Sequence, residues 1–304
     1  MIIDYDIGFD WDDTATHLLA MASPELDVQL FITNDEYRTM RAQFSQQMVR
    51  LSGNDVPVVA GTDLGNNNFV IEDLVDHGQA VDIDWERAIL RCLEANEAVV
   101  YLGLGSMTNI ARFVDAHPAE SRKLSLVQMG GALCDLYRHG RERPEHNVAL
   151  DPAAFLAVLR SDVSTRLVMA HTTVRQEIEI NADAPLLARM RESEKAETRL
   201  AAVCFDRWYQ ARGHGSYLHD PLTCSVLIEP GLVDFVDGQL IVDHDGFIQL
   251  APESRIQLRE KLHVDLDDED GLRSRLDGEK FDVRVSAGAA YAEFLDLMGE
   301  RIAP

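Results

Sequence analysis

Short apolar runs that alternate with longer amphipathic stretches predict an α/β protein: a mainly parallel open sheet flanked by helices, with its active site at the carboxyl ends of the strands. Two further observations support that class. There is no internal repeat and no linker rich in Gly, Ser or Pro, so one domain spanning residues 1–304 is expected. The conspicuous residues also gather where the apolar runs end: Asp4 and Asp6, Thr33 and Asn34, Leu104 and Gly105, Met129 and Gly130. In open α/β sheets that edge binds ligands.

The elements follow in order. "MIID" reads as a strand and "DDTATHLLAMAS" as a helix entered through Asp12 or Asp13, because carboxylates suit a helix N-terminus. "VQLFIT" is the second strand, and "TMRAQFSQQMVRLSG" a helix closed by Gly53. "VPVVAG" is the next strand, and the polar stretch from Gly61 to Gln79 a long functional loop. A helix around "WERAILRCLEAN", the strand "AVVYLGLG", the helix "TNIARFVDAHP", the strand "KLSLVQMGG", the helix "DPAAFLAVLRS" and the strand "TRLVMAHT" continue the alternation. From about residue 177 come helical and hairpin additions. The segment from Glu177 to Tyr217 reads as polar helix, and "QLIVDHDGFIQL" from Gln239 as a hairpin. The acidic "DLDDEDG" precedes a final strand and helix in "FDVRVSAGAAYAEFLDLMGERI".

Composition excludes several functions. With 28 Lys and Arg against 52 Asp and Glu, the net charge of −24 repels nucleic acid and anionic membranes at long range. Cys92, Cys134, Cys204 and Cys224 are widely spaced without a C-x-x-C pattern, as expected of reduced thiols in a cytoplasmic protein rather than of structural zinc. No signal peptide pattern opens the chain and no apolar run is long enough to span a membrane.

The stretch "MIIDYDIGFDWDD" is the outlier, with Asp4, Asp6, Asp10, Asp12 and Asp13 close together and no Lys or Arg among them. At about 4 Å and an effective dielectric of about 20, two like charges repel by roughly 4 kcal/mol, so protons, a cation or solvent must intervene. Three chemistries use D-x-D after a strand. A haloacid-dehalogenase-like phosphatase would use Asp4 as nucleophile and Asp6 as general acid, with magnesium. An EF-hand loop is ruled out by the position of Gly8 and the missing twelfth-position Glu. A cluster holding a hard divalent cation, with one carboxylate left as a base, accounts for the extra pair Asp12 and Asp13. Helix capping explains one or two of these acids, not all five.

The residues also resemble a known family. "IIDYDIGFDWDDTATHLLA" resembles the opening signature of the nucleoside hydrolases, Asp-x-Asp-x-Gly followed by Asp-Asp and a helix, with two additional residues before the final pair. "LGSMTNIA", "QMGG", "EHNVALDPAA" and "HDPL" resemble further segments of that family in the family's order, from Asp4 to Leu222. The resemblance implies calcium-dependent hydrolysis of the N-glycosidic bond of a ribonucleoside to ribose and free base, in a cytoplasmic homo-oligomer, dimer or tetramer, that serves nucleoside salvage. It makes Asp6, Asp13, Asp220 and the Leu104 carbonyl calcium ligands, Asp12 the base that activates water, and His219 the group that assists the leaving base. It places Glu145, Asn147 and Asn34 on the sugar's polar groups and Met129 on its apolar face. His139 and Arg141 stand where many relatives carry an Asn at the sugar's 5′ end.

The chemistry suits those residue types. Cleavage passes through an oxocarbenium-like ribosyl cation, which nearby carboxylates stabilise while a base positions water and an acid protonates the departing nucleobase. A divergent member that binds calcium and nucleoside without turnover is a further alternative, motivated by the changed "RHGRERP" segment. Trp11 reads as a residue that packs the acidic loop down, while Tyr37, Trp208 and Tyr217 suit either the core or a wall against the base.

Overall fold

The computed structural model describes residues 1–78, 80–133, 142–254 and 277–303. Cys134, His139, Arg141 and the acidic segment 265–271 lie outside the described residues. The chain begins with β1 (Ile2–Tyr5), α1 (Asp12–Ala22), β2 (Leu30–Thr33), α2 (Met40–Leu51) and β3 (Val58–Ala60). Next come α3 (Trp85–Ala95), β4 (Val99–Gly103), α4 (Thr108–Ala116) and β5 (Leu124–Met129). Two short helices, α5 (His146–Leu150) and α6 (Pro152–Leu159), precede β6 (Ser164–Val168) and the one-turn α7 (Ala170–Thr173). The remainder is β7 (Glu179–Ile180), α8 (Pro185–Glu192), α9 (Ala196–Arg212), β8 (Ser216–Tyr217), α10 (His219–Ile228), β9 (Val233–Val242), β10 (Ile248–Leu250), β11 (Glu279–Ala289) and α11 (Tyr291–Ile302).

Among the described residues, nine strands form one sheet in the order β10-β9-β11-β6-β5-β4-β1-β2-β3. Every neighbouring pair from β3 through β6 to β11 is parallel, and β9 and β10 close that end as antiparallel strands. The order runs 3-2-1 one way and 4-5-6 the other. Chain direction across the sheet therefore reverses between β1 and β4, and the crevice above such a switch point is where doubly wound sheets bind ligands. The backbone just past β4 and just past β2 stays tied to β1, with Leu104 N donating to Asp4 O at 2.7 Å and Asn34 N to Tyr5 O at 2.8 Å.

Period-2 alternation divides the strands between two cores. Ile3 and Tyr5 of β1 pack with Leu18 and Leu19 of α1, Phe44 and Met48 of α2 and Phe294 of α11. Ile2 faces the other way, with Ile89 of α3, Ile110 and Phe113 of α4 and Phe155 of α6. Helices on both faces explain why the parallel strands read as nearly continuous apolar runs.

Two expectations change in detail. The polar segment from Glu177 to Tyr217 is mainly helical, but its ends pair as an antiparallel bridge, Glu179 with Tyr217 and Ile180 with Ser216. The hairpin at "QLIVDHDGFIQL" forms, with Asp243 Oδ1 accepting from Asp245 N at 3.0 Å and Phe247 N at 2.9 Å. Its first strand, however, begins at Val233, not Gln239, and pairs chiefly with β11. Asp234 and Asp237 face outward and mask the strand's apolar positions Val233, Val236 and Leu240. Trp11 packs the acidic loop down as expected: its Nε1 donates to Ala201 O at 2.8 Å and its ring meets Phe205 edge-on at 5.4 Å.

Because that side chain is essentially fully buried, Trp11→Ala leaves a large void and an unpaired Ala201 carbonyl. Urea denaturation is expected to show a loss of about 3–5 kcal/mol, and a loss below about 1 kcal/mol would show that the loop is held elsewhere.

Candidate active site

Two helix N-termini converge on the crevice between β1 and β4. The loop after β1 turns at Gly8, whose φ of +109° suits only glycine. It then delivers Asp12 and Asp13 into the first turn of α1, and Asp220 sits in the first turn of α10. Both positions place carboxylates at the positive end of a helix dipole. One carboxylate oxygen from each of Asp12, Asp13 and Asp220 lies within 4.8 Å of the others, and all three residues are buried.

Their surroundings differ. Asp12 Oδ1 accepts from Asp13 N at 3.1 Å and Oδ2 from Asp220 N at 3.3 Å, so backbone groups orient both oxygens. Asp13 Oδ1 is buried with no hydrogen-bond partner among the described residues. Burial raises all three carboxyls well above the ordinary range. The charge of Asp6 raises all three further, joined by Asp10 and Asp13 at Asp12, by Asp10 at Asp13, and by Asp12 and Asp13 at Asp220. Asp10 accepts from Trp11 N at 2.6 Å and Ser216 Oγ at 2.5 Å, and burial lifts it to about 6.

Asp6, Asp12, Asp13, Leu104, Met129, Glu145, Asn147, His219 and Asp220 all border a single cavity of about 360 Å³. Asn147 Nδ2 donates to Leu104 O at 2.9 Å and to Met129 O at 3.2 Å. Glu145 caps α5 by accepting from Asn147 N at 3.0 Å, and it accepts from Gly131 N at 2.9 Å. His219 Nδ1 lies 2.7 Å from Thr173 Oγ1, and burial together with nearby His146 pushes the imidazole down to about 4. Trp208 is on the cavity wall beside Phe9, their rings edge-on at 5.3 Å. Tyr37 instead stacks on Phe69, and Tyr217 lies against His219 at 5.6 Å.

Asn34 does not border this cavity. Its Nδ2 donates to Ser106 O at 2.6 Å and to both oxygens of Asp4 at 3.3 Å, and its Oδ1 accepts from Ser106 Oγ at 2.7 Å. Asp4 is likewise behind the site. Tyr101 Oη donates to it at 2.5 Å and Asn109 Nδ2 at 3.1 Å, while burial lifts its carboxyl to about 7. A phosphatase nucleophile needs a free oxygen facing the substrate, so Asp4 is not one, and the phosphatase alternative fails.

The chain matches the sequence pattern of the family described as "Inosine-uridine preferring nucleoside hydrolase" over residues 1–287. The protein belongs to that family. It is an enzyme of the ribonucleoside hydrolase class, acting on N-glycosyl bonds. Among its relatives, the pyrimidine-specific ribonucleoside hydrolase RihA of Citrobacter koseri is 28% identical over 275 residues, covering 81% of this chain and 84% of the relative. The purine-preferring ribonucleoside hydrolase from Gardnerella vaginalis shares the fold at a TM-score of 0.74 with 19% identity, covering 100% of this chain and 98% of its own. The inosine-uridine preferring nucleoside hydrolase from Bacillus anthracis superposes at 0.72 with 17% identity and 99% coverage of both chains.

One important residue is invisible in the motifs of this nucleoside hydrolase. Arg41 on α2 is fully buried, and its guanidinium donates to the Asp6 carbonyl, to Ile7 O at 3.0 Å, Asp35 O at 2.8 Å and Asn68 O at 2.8 Å. It ties the loops after β1, β2 and β3 together, and its charge lowers the Asp13 carboxyl against the prevailing upward shift. Nothing in "TMRAQFSQQM" distinguishes it from a surface arginine; only the neighbouring excess of buried carboxylate calls for a cation.

Arg41→Leu removes that charge and strands several carbonyls. Chemical denaturation is expected to show a loss of about 3–5 kcal/mol, and Arg41→Lys to recover little because an ammonium lacks the guanidinium fork. Full stability in the lysine variant would show that charge alone matters.

Proposed function

We propose that this hydrolase depends on calcium. Asp6, Asp13 and Asp220, with the Leu104 carbonyl, are the groups that would hold the ion, and the observation that carries this reading is the buried Asp13 Oδ1, without a partner among the described residues, within a cluster of buried carboxylates. The donors are all hard oxygens, as calcium prefers. When bound, such an ion orients the ribose diol and makes water more acidic.

The side chains divide the remaining work. Asp12, oriented by two backbone N–H groups, is the base: the C1′–N bond breaks with its electron pair on the nucleobase, water oxygen bonds to C1′, and Asp12 takes the water proton. Glu145 and Asn147 hold the sugar, Met129 packs against its apolar face, and His219 donates to the departing base. Asn34 supports the site from behind through Asp4 and Ser106. The buried thiols of Cys92, Cys204 and Cys224 suit a cytoplasmic salvage enzyme, and no helix among the described residues is long and apolar enough to cross a membrane. We place it in a homo-oligomer, as a dimer or tetramer.

The test is a panel of uridine, cytidine, inosine, adenosine and their 2′-deoxy counterparts, with and without chelator, read as reducing sugar released. The name of the Citrobacter koseri relative puts the pyrimidine ribosides first. Turnover of ribosides that chelator abolishes and calcium restores is expected, with 2′-deoxyribosides far slower. Full activity in a metal-free preparation would remove calcium from the reaction, and equal rates on both sugars would remove the diol.

The division of labour predicts distinct variants. Asp12→Asn keeps shape but loses the proton acceptor, and is expected to slow every substrate by roughly 10²-fold or more. His219→Ala is expected to cripple natural nucleosides while sparing 4-nitrophenyl riboside, whose leaving group departs unaided. Equal losses on both substrates in His219→Ala would assign the histidine to the sugar instead.

A further inference from the structure

The turn after β6 ends in Thr173, which is fully buried with its Oγ1 2.7 Å from Nδ1 of His219. Among the described residues that hydroxyl has no other hydrogen-bond partner. Accounting for protons then fixes the direction of the bond. A neutral imidazole has one N–H and one bare nitrogen, whereas a hydroxyl both gives and receives. If Nδ1 carried the proton and donated to Oγ1, the hydroxyl proton would be buried without an acceptor, which is the costly arrangement. Donation from Thr173 to a bare Nδ1 satisfies both groups.

We propose that Thr173 is a positioning residue that locks His219 in the Nε2–H tautomer, so that the imidazole offers the departing nucleobase a hydrogen-bond donor rather than a lone pair. This rests on the reading of His219 given above. The ring proton stays on Nε2 throughout, and the hydrogen bond stabilises the electron pair arriving on the base as the C1′–N bond breaks. Thr173 itself is braced by the C-terminal strand and helix. Tyr291 Oη donates to Thr172 O at 2.8 Å, Thr172 Oγ1 pairs with Ser286 Oγ at 2.8 Å, and His171 Nε2 donates to Ser286 O at 2.8 Å.

Two measurements test the assignment. In calcium-loaded enzyme labelled with 15N-histidine, the His219 signals, assigned by their loss in His219→Asn, are expected to show a bare Nδ1 and a protonated Nε2; a protonated Nδ1 overturns the proposal. In kinetics, Thr173→Val is expected to lower kcat about 10-fold or more on whichever of uridine or inosine the wild type cleaves faster. It is expected to leave 4-nitrophenyl riboside nearly unchanged, and Thr173→Ser to restore the loss. Full activity of Thr173→Val on the nucleoside, or equal losses on both substrates, overturns it. Should Thr173→Val not fold, the wild-type nitrogen spectrum still decides the tautomer. A wild type inactive on every nucleoside would sink the ribohydrolase reading separately, and that spectrum would again stand on its own.

Discussion

Repulsion among buried carboxylates at the β1/β4 switch point is the constraint on which the rest of this site depends. Asp12, Asp13 and Asp220 have oxygens within 4.8 Å of one another, and Asp6 shares their cavity. Burial weakens the solvent that would otherwise separate them, so each carboxyl among the three resists ionisation. A fold that gathers such groups must supply positive potential by other means. Here it comes from two helix N-termini, from backbone N–H groups aimed at Asp12, and from the buried guanidinium of Arg41.

Those three sources are fixed partial or full charges, and they satisfy the cluster unequally. Asp12 and Asp10 each receive backbone N–H donors, whereas Asp13 keeps an oxygen with no donor among the described residues. The inequality separates roles that the sequence places side by side. A carboxylate whose oxygens are both oriented by the backbone suits a directional proton acceptor, and one with a bare buried oxygen suits a cation. Adjacent residues in "DWDD" can thus have different chemistry because the helix N-terminus turns them toward different neighbours.

Much of this was legible in the sequence. The strand and helix order through β6 follows from apolar periodicity, and the acidic loop, "HDPL" and "EHNVALDPAA" bring most site residues to one cavity, as their family order implies. Two kinds of information were not legible. Asn34 occupies a strand end like the other site residues, yet its amide is committed to Asp4 and Ser106, a matter of side-chain direction that spacing does not encode. Arg41 and Thr173 lie in stretches without a motif, because a counter-charge or a tautomer lock is defined by what sits opposite it in space, far away in sequence.

The C-terminal additions illustrate the same point at larger scale. β9 hides its apolar positions among aspartates, and its pairing with β11 extends the sheet beyond β6. That extension does more than cover an edge. β11 lies parallel to β6, and Ser286 near their shared end accepts from His171 Nε2, donates or accepts at Thr172 Oγ1 and receives Met169 N at 3.0 Å. α11 adds Tyr291 to the same turn. The short α7 would otherwise be a single exposed helical turn, too brief to hold its own geometry. Anchored to a long strand and a terminal helix, it sets Thr173 against His219 with the rigidity of the sheet itself, so the part of the chain farthest from the acidic opening determines how the opposite wall of the same cavity is presented.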